Sequence, residues 1–214
     1  MAKKERILDI SWPLKEGTTS YKNKSFLSLI PSKIFQRDKV RETRISLSSH
    51  TGTHIDAPAH FIEDGKTIDQ EPLTKLIGNA KVLDLTNIRK SITAKDLQKQ
   101  KFKKGQIILL KTKNSLHNED DLFDQEFIYL TASAAKFLKQ KGVKAVGIDY
   151  LGIERNDKNH LTHKILLHAN IPIIEGLRLS DTKAKEYYFV CLPLAIQGTD
   201  AAPARAILIE NHKL

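Results

Sequence analysis

Cysteine, tryptophan and methionine occur once each in the 214 residues. The lone Cys191 excludes an internal disulfide and any zinc site built from clustered cysteines of one chain. It also fits a reducing compartment. Aromatic residues make up only 7% of the chain, which argues against an aromatic base-stacking surface. No apolar run approaches the roughly 20 residues of a membrane span, so no membrane partner is expected. The basic stretch 1–6 is followed only by the short run Ile7-Leu8-Asp9-Ile10, less than a secretory signal needs, and the expected location is the cytoplasm. Repeats, low-complexity segments and linkers are absent, so residues 1–214 read as one domain with room for a sizeable core. A Gly-x-Ser-x-Gly nucleophile elbow is absent too, which leaves no sign of serine-based acyl transfer.

What is present in excess is lysine, and the formal net charge is +10. The lysines are scattered through Lys95, Lys99, Lys101, Lys103, Lys104, Lys111, Lys113, Lys136, Lys139, Lys141 and Lys144. With no nucleic-acid motif beside them they read as solvated faces, and no nucleic-acid partner is expected. The rival reading, a nucleic-acid-binding protein, predicts salt-sensitive binding that survives chelation of metals.

Hydrophobic periodicity predicts strands over 7–14, 44–56, 81–85, 106–111, 143–149, 171–175, 187–194 and 204–210. It predicts helices over 93–101, 131–141 and 162–169. Ser91 or Thr93 caps the first, and Thr131 and Gly142 bound the second. Residues 18–40 read as a loop folded over something. Strands at both ends with helices between strands in the middle indicate a mixed α/β (α+β) fold around a mixed central sheet.

The chemistry concentrates in His50-Thr-Gly-Thr-His54-Ile-Asp56-Ala-Pro-Ala-His60, three imidazoles and a carboxylate within eleven residues. β-Branched Thr51, Thr53 and Ile55, with Gly52 and Pro58, disfavour a helix here. In an extended chain His50, Gly52, His54 and Asp56 share one face, with Gly52 leaving a gap for an ion, and Pro58 turns His60 back toward it. Two imidazoles and a carboxylate suit zinc or manganese, with open positions for water. His60, outside the ligand set, is the candidate for proton transfer.

The segment 49–61 resembles the signature of the cyclase family of metal-dependent hydrolases. Bacterial kynurenine formamidase, an enzyme of tryptophan catabolism, and isatin hydrolase represent its activities. Asp9-Ile-Ser-Trp-Pro-Leu14, Pro72-Leu73, Ile77-Gly78, Val82-Leu-Asp-Leu85, Ile148-Asp-Tyr-Leu-Gly152, Ile174-Glu-Gly-Leu177, Leu192-Pro-Leu194 and Pro203-Ala-Arg-Ala206 extend the likeness over nearly the whole chain. The resemblance implies a swivelling β/β/α domain and a homodimer or higher oligomer whose N-terminal segment completes a neighbour's site. It implies one or two divalent ions, zinc or manganese, held by His50, His54, Asp56, His163 and Glu175. Asp56 would reach a second ion, and His60 would be the catalytic proton carrier. His163 lies at the start of a short helix, and the nearby His160 and His168 leave the distal ligand open between them. An acid such as Glu175, following Ile171, Ile173 and Ile174, is costly to bury without a cation partner.

The implied reaction is hydrolysis of an amide, arylformamidase-like, or of a lactam as in isatin hydrolase. A metal-polarised carbonyl and a metal-activated water would do the work. Where kynurenine formamidases carry a substrate-facing tryptophan in a Trp-Pro-Gly-Asp run, this chain has Tyr21-Lys22-Asn23-Lys24; Tyr21 still offers an aromatic face. A non-catalytic metal-binding protein is the other rival, against which the extra His60 speaks.

Overall fold

The computed structural model describes residues 5–24 and 27–211. Residues 1–4 of the basic opening, and Ser25 and Phe26 of the expected loop, lie outside the described residues. In chain order the elements are β1 (Arg6–Asp9), β2 (Ser28–Lys33), α1 (Phe35–Asp38), β3 (Glu42–Ser46), β4 (His54–Asp56), β5 (Ile77–Asp84), β6 (Ser91–Ile92), α2 (Ala94–Gln98), β7 (Ile107–Lys111), β8 (Tyr129–Leu130), α3 (Ala132–Lys141), β9 (Ala145–Ile148), α4 (Leu161–His168), β10 (Ile173–Glu175), β11 (Glu186–Pro193) and β12 (Ala201–Glu210). No helix among the described residues is long and apolar enough to cross a membrane.

The main sheet runs β1-β12-β11-β5-β7-β9-β10-β4, and β4 also pairs with β12, so the sheet closes on itself like a barrel. β5, β7, β9 and β10 are parallel, while β11, β12, β1 and β4 join antiparallel. This is the mixed-sheet α/β architecture expected from the pattern. The parallel strands are covered on both faces, which explains why β7 is apolar from Ile107 to Leu110 rather than alternating. Ile107 and Leu109 face the inside of the closed sheet with Ile55, Val82, Ile174 and Phe189. Ile108 and Leu110 face a second core shared with Leu97 of α2, Leu138 of α3 and Leu166 of α4.

The helices follow their expected signals with one shortening. α2 ends at Gln98, and Thr93 rather than Ser91 caps it, in a reciprocal box with Asp96. Ser91 belongs instead to β6, which pairs with β8. α3 begins on the Thr131 hydroxyl and ends on Gly142 at φ 65°.

Two expectations fail. Residues 18–40 are not all loop: β2 and β3 form an antiparallel hairpin around α1, and most of its side chains face solvent. Residues 44–56 are not one strand. The chain leaves β3 at Ser46, turns between Ser48 and Thr51, where the Thr51 amide donates to the Ser48 carbonyl at 3.2 Å, and re-enters the sheet only at His54. Gly52 sits at φ +60°, which breaks the strand. His50 therefore does not share an extended face with His54. Nor does Gly52 leave an ion-sized gap, since a Cβ there would lie 2.5 Å from Leu14 Cδ2.

Candidate metal centre

β4 is held between two strands. His54 lies opposite both Glu175 of β10 and Pro203 of β12, and Asp56 lies opposite Ile173 and Ala201. Side chains two apart on one strand, and directly opposite across a pair, share a face. His54, Asp56 and Glu175 therefore project together toward α4, while Ile55 and Ile174 turn into the core. The preceding turn is fastened at Thr53, whose hydroxyl donates to the Gly176 carbonyl at 2.6 Å and accepts from the Trp12 amide at 2.7 Å. That fastening carries His50 back over the strand, so that its Nδ1 lies 3.0 Å from Asp56 Oδ1 despite the failed alternation. α4 brings His163 from the other side: Nε2 is 3.7 Å from Asp56 Oδ2 and 3.5 Å from Glu175 Oε1. His54 Nε2 completes the ring at 3.6 Å from Asp56 Oδ1 and 3.4 Å from Glu175 Oε2.

His60 follows in a short 3-10 turn led by Pro58, its ring centroid 4.2 Å from that of His50 and 5.8 Å from that of His163. Of the alternatives for the distal histidine, His168 contacts the Lys164 carbonyl of its own helix at 2.8 Å. His160 lies 2.6 Å from Glu154 Oε1, one carboxylate removed from the Asp56–Glu175 pair. Tyr21 lines the same cleft, edge-on to Phe123, and its ring passes so close to Gly152 that a Cβ there would meet it at 3.1 Å. Trp12, by contrast, is buried beneath Arg178. The cleft above the cluster has a volume of about 650 Å³, with His60, Phe61 and His160 on its walls and Lys22, Lys24 and Lys158 at its rim.

Electrostatically the cluster is a ring of alternating charge. Burial pushes His50 down, but the close ion-pair contact and charge of Asp56, aided by Asp200, outweigh it and raise the imidazole to about 9. Burial likewise opposes His163, which Glu154, Glu175 and Asp56 raise to about 10. Burial pushes Glu175 up, yet His163 and His54 hold it well below the usual carboxylate range. Burial and the Glu175 charge raise Asp56, and His50 and His54 more than offset them. His60 moves the other way: burial lowers it, with help from the charges of His50 and His163.

The residues fit a divalent cation on two observations. His54 Nδ1 faces the Gly52 carbonyl at 2.8 Å, so its proton is held there and Nε2 presents a bare lone pair to the cluster. That Nε2 and both carboxylate oxygens of Asp56 are buried without a hydrogen-bond partner. Two buried carboxylates are costly without positive charge beside them, which the raised His50 and His163 imidazoles supply and which a divalent ion on the orphaned acceptors would supply in their place. The sets His50-His54-Asp56 and Asp56-His60-His163 each bring their ligand atoms within 4.8 Å of one another.

Two residues of the site were not anticipated. Asp200, just before β12, reaches His50 Nε2 at 2.8 Å and His60 Nδ1 at 3.2 Å. Glu154 lies 2.6 Å from His160 Nδ1 and 2.9 Å from His163 Nδ1. Each is an acid next to an apolar run, the same signal that marks Glu175. Asp149 is buried but outside the cluster: it accepts from the amides and hydroxyls of Thr112 and Ser115 and so pins the 112–115 turn to β9.

The Cyclase family model matches residues 8–155. A kynurenine formamidase of Bacillus cereus is 31% identical over 203 residues, 94% of this chain and 96% of that protein. A solved structure described as a potential metal-dependent hydrolase with cyclase activity superposes with a TM-score of 0.89 at 42% identity, covering 98% of this chain and 100% of the other. Isatin hydrolase A of Ralstonia solanacearum shares the fold, with a TM-score of 0.85 at 20% identity over 96% of this chain and 92% of its own.

Proposed function

This chain belongs to the Cyclase family, and on that premise we propose that it is a metal-dependent hydrolase of a non-peptide amide, arylformamidase-like, with residues 1–214 acting as one domain. The observation that carries the reading is the buried Asp56–Glu175 pair ringed by imidazoles, with orphaned acceptors on Asp56 and His54. His50, His54, Asp56, His163 and Glu175 hold one or two ions, zinc or manganese, and borderline imidazole–carboxylate sets suit both. A bound divalent ion supplies Lewis acidity toward the carbonyl and lowers the pKa of water.

The chain's own residues do the rest. His60 stands beside the cluster and receives the proton of the attacking water, then returns it to the leaving nitrogen. Asp200 Oδ2, 3.2 Å from His60 Nδ1, orients that ring. Tyr21 and Phe61 give the cleft two aromatic walls for an aryl substrate. The rim lysines suit an amide that carries a carboxylate. A second copy of the chain covers the hairpin of β2 and β3, whose Ile30, Ile34, Phe35, Val40 and Ile45 are exposed, and the protein is a homodimer or higher oligomer.

The test is hydrolysis of N-formylkynurenine and of isatin by the purified protein, followed by absorbance. Faster turnover of the formamide supports the arylformamidase reading. The reverse order transfers the assignment to lactam hydrolysis, which the shared fold with isatin hydrolase A makes the second reading. No turnover of any amide or lactam would overturn the proposal.

A further inference from the structure

The geometry points to Glu154 as the residue that positions His163, and through it sets how tightly the Asp56–Glu175 pair holds a cation; this rests on the reading of that pair as a cation site. Glu154 lies in the segment between β9 and α4 and is buried. Its two oxygens do different work. Oε2 accepts from the backbone amides of Thr162 at 3.0 Å and His163 at 3.4 Å. The first turn of α4 leaves those amides without helical partners. The cap residue itself, His160, is left-handed at φ 51° and offers no side-chain cap. Glu154 therefore fixes where α4 begins, and with it the backbone of His163.

Oε1 acts on the ring. It lies 2.9 Å from His163 Nδ1, an ion-pair contact rather than an aligned hydrogen bond. A carboxylate at Nδ1 keeps a proton on that side of the ring, so that Nε2 is the nitrogen a cation would take. Nε2 is the atom that faces Asp56 and Glu175, at 3.7 and 3.5 Å. The neighbouring residue closes the arrangement: the Ile153 amide donates to Glu175 Oε1 at 2.6 Å. Adjacent residues of one segment thus orient both His163 and the carboxylate opposite it. His160 shares Glu154 Oε1 at 2.6 Å and its ring lies tilted against Phe61 at 4.6 Å, which ties the same carboxylate to the cleft wall.

The experiment measures the affinity of full-length protein for Zn²⁺ and for Mn²⁺ by competition with a chromophoric chelator, in the wild type and in E154Q and E154D. Glutamine keeps an oxygen to cap α4 but loses the charge. E154Q is expected to bind 10- to 100-fold more weakly, the usual effect of removing an outer carboxylate, with the same number of ions at saturation. E154D keeps the charge and should bind more tightly than E154Q. Melting curves of the metal-free variants separate a folding defect from a weakened site, and E154D carries the comparison with the wild type if E154Q does not fold. Wild-type affinity in E154Q, or equal weakening in E154Q and E154D, would overturn the assignment. A wild type that takes up neither ion would instead overturn the cation-site reading beneath it.

Discussion

His50 and His60 stand one ring apart, yet their surroundings separate their roles. His50 is gripped between two carboxylates, Asp56 and Asp200, at 3.0 and 2.8 Å, whereas His60 meets the Asp200 carboxylate at 3.2 Å and keeps one side toward the cleft. Substituting His60 by Ala should leave metal content at the wild-type level while lowering kcat by about 10²–10⁴-fold, the range for loss of a general acid–base. Metal analysis beside steady-state kinetics checks this, and an emptied site would make His60 a ligand. Much at this scale was legible in the sequence, because three imidazoles and an acid within eleven residues point to a bound cation far more readily than to a solvated loop. The route by which His50 arrives was not legible. It depends on Thr53 bonding Gly176 and Trp12, contacts 123 and 41 residues away that no local period encodes. Asp200 and Glu154 each carry the weak signal of an acid beside an apolar run, but only folding sets them against the imidazoles of the site.

Elements with both a cap and an apolar period were readable, as α3 shows between Thr131 and Gly142. The run 44–56 misled because its alternating residues carry strand propensity on both sides of a tight turn, and one glycine at positive φ decides the matter. The turn joins β4 to β10 through a close approach of two glycines. A Cβ on Gly176, at φ +69°, would lie 2.3 Å from the Gly52 carbonyl oxygen. Gly176→Ala should therefore cost more than the roughly 1–2 kcal/mol of a left-handed alanine, and chemical denaturation would measure it. A loss below about 0.5 kcal/mol would show that the approach is not tight. The α2 box gives a pH-dependent test. The Thr93 side chain holds the Asp96 carboxylate below its ordinary range against the opposing effect of burial. A depressed carboxylate contributes stability above its unfolded value, lost as pH falls through the folded one. Asp96→Asn should thus lower the melting temperature at pH 7, and the gap to wild type should close in acid below the ordinary carboxylate range. A gap independent of pH would contradict the account.

Across the whole molecule, closure of the sheet by β4 on β12 puts the cluster at the seam, with β4, β10 and α4 each contributing side chains to it. The sequence revealed a mixed sheet but not its closure, because β4 is a three-residue strand too short to show a period. The exposed hairpin was unreadable for a related reason: its apolar residues Ile30, Ile34, Phe35, Val40 and Ile45 are exposed, so they trace no core face. If a second copy covers them, sedimentation should give a dimer or larger, and Phe35→Glu with Ile45→Glu should shift it toward monomer with the fold retained. A wild type that sediments as a monomer would refute that cover. A cation at Asp56 and Glu175 is tested by the number of ions bound per chain, read together with amide hydrolysis before and after chelation. One or two Zn²⁺ or Mn²⁺ per chain are expected, with turnover abolished by the chelator and restored by adding either ion. Protein that binds neither ion at saturating concentration, or that hydrolyses the amide undiminished after complete metal removal, would contradict it.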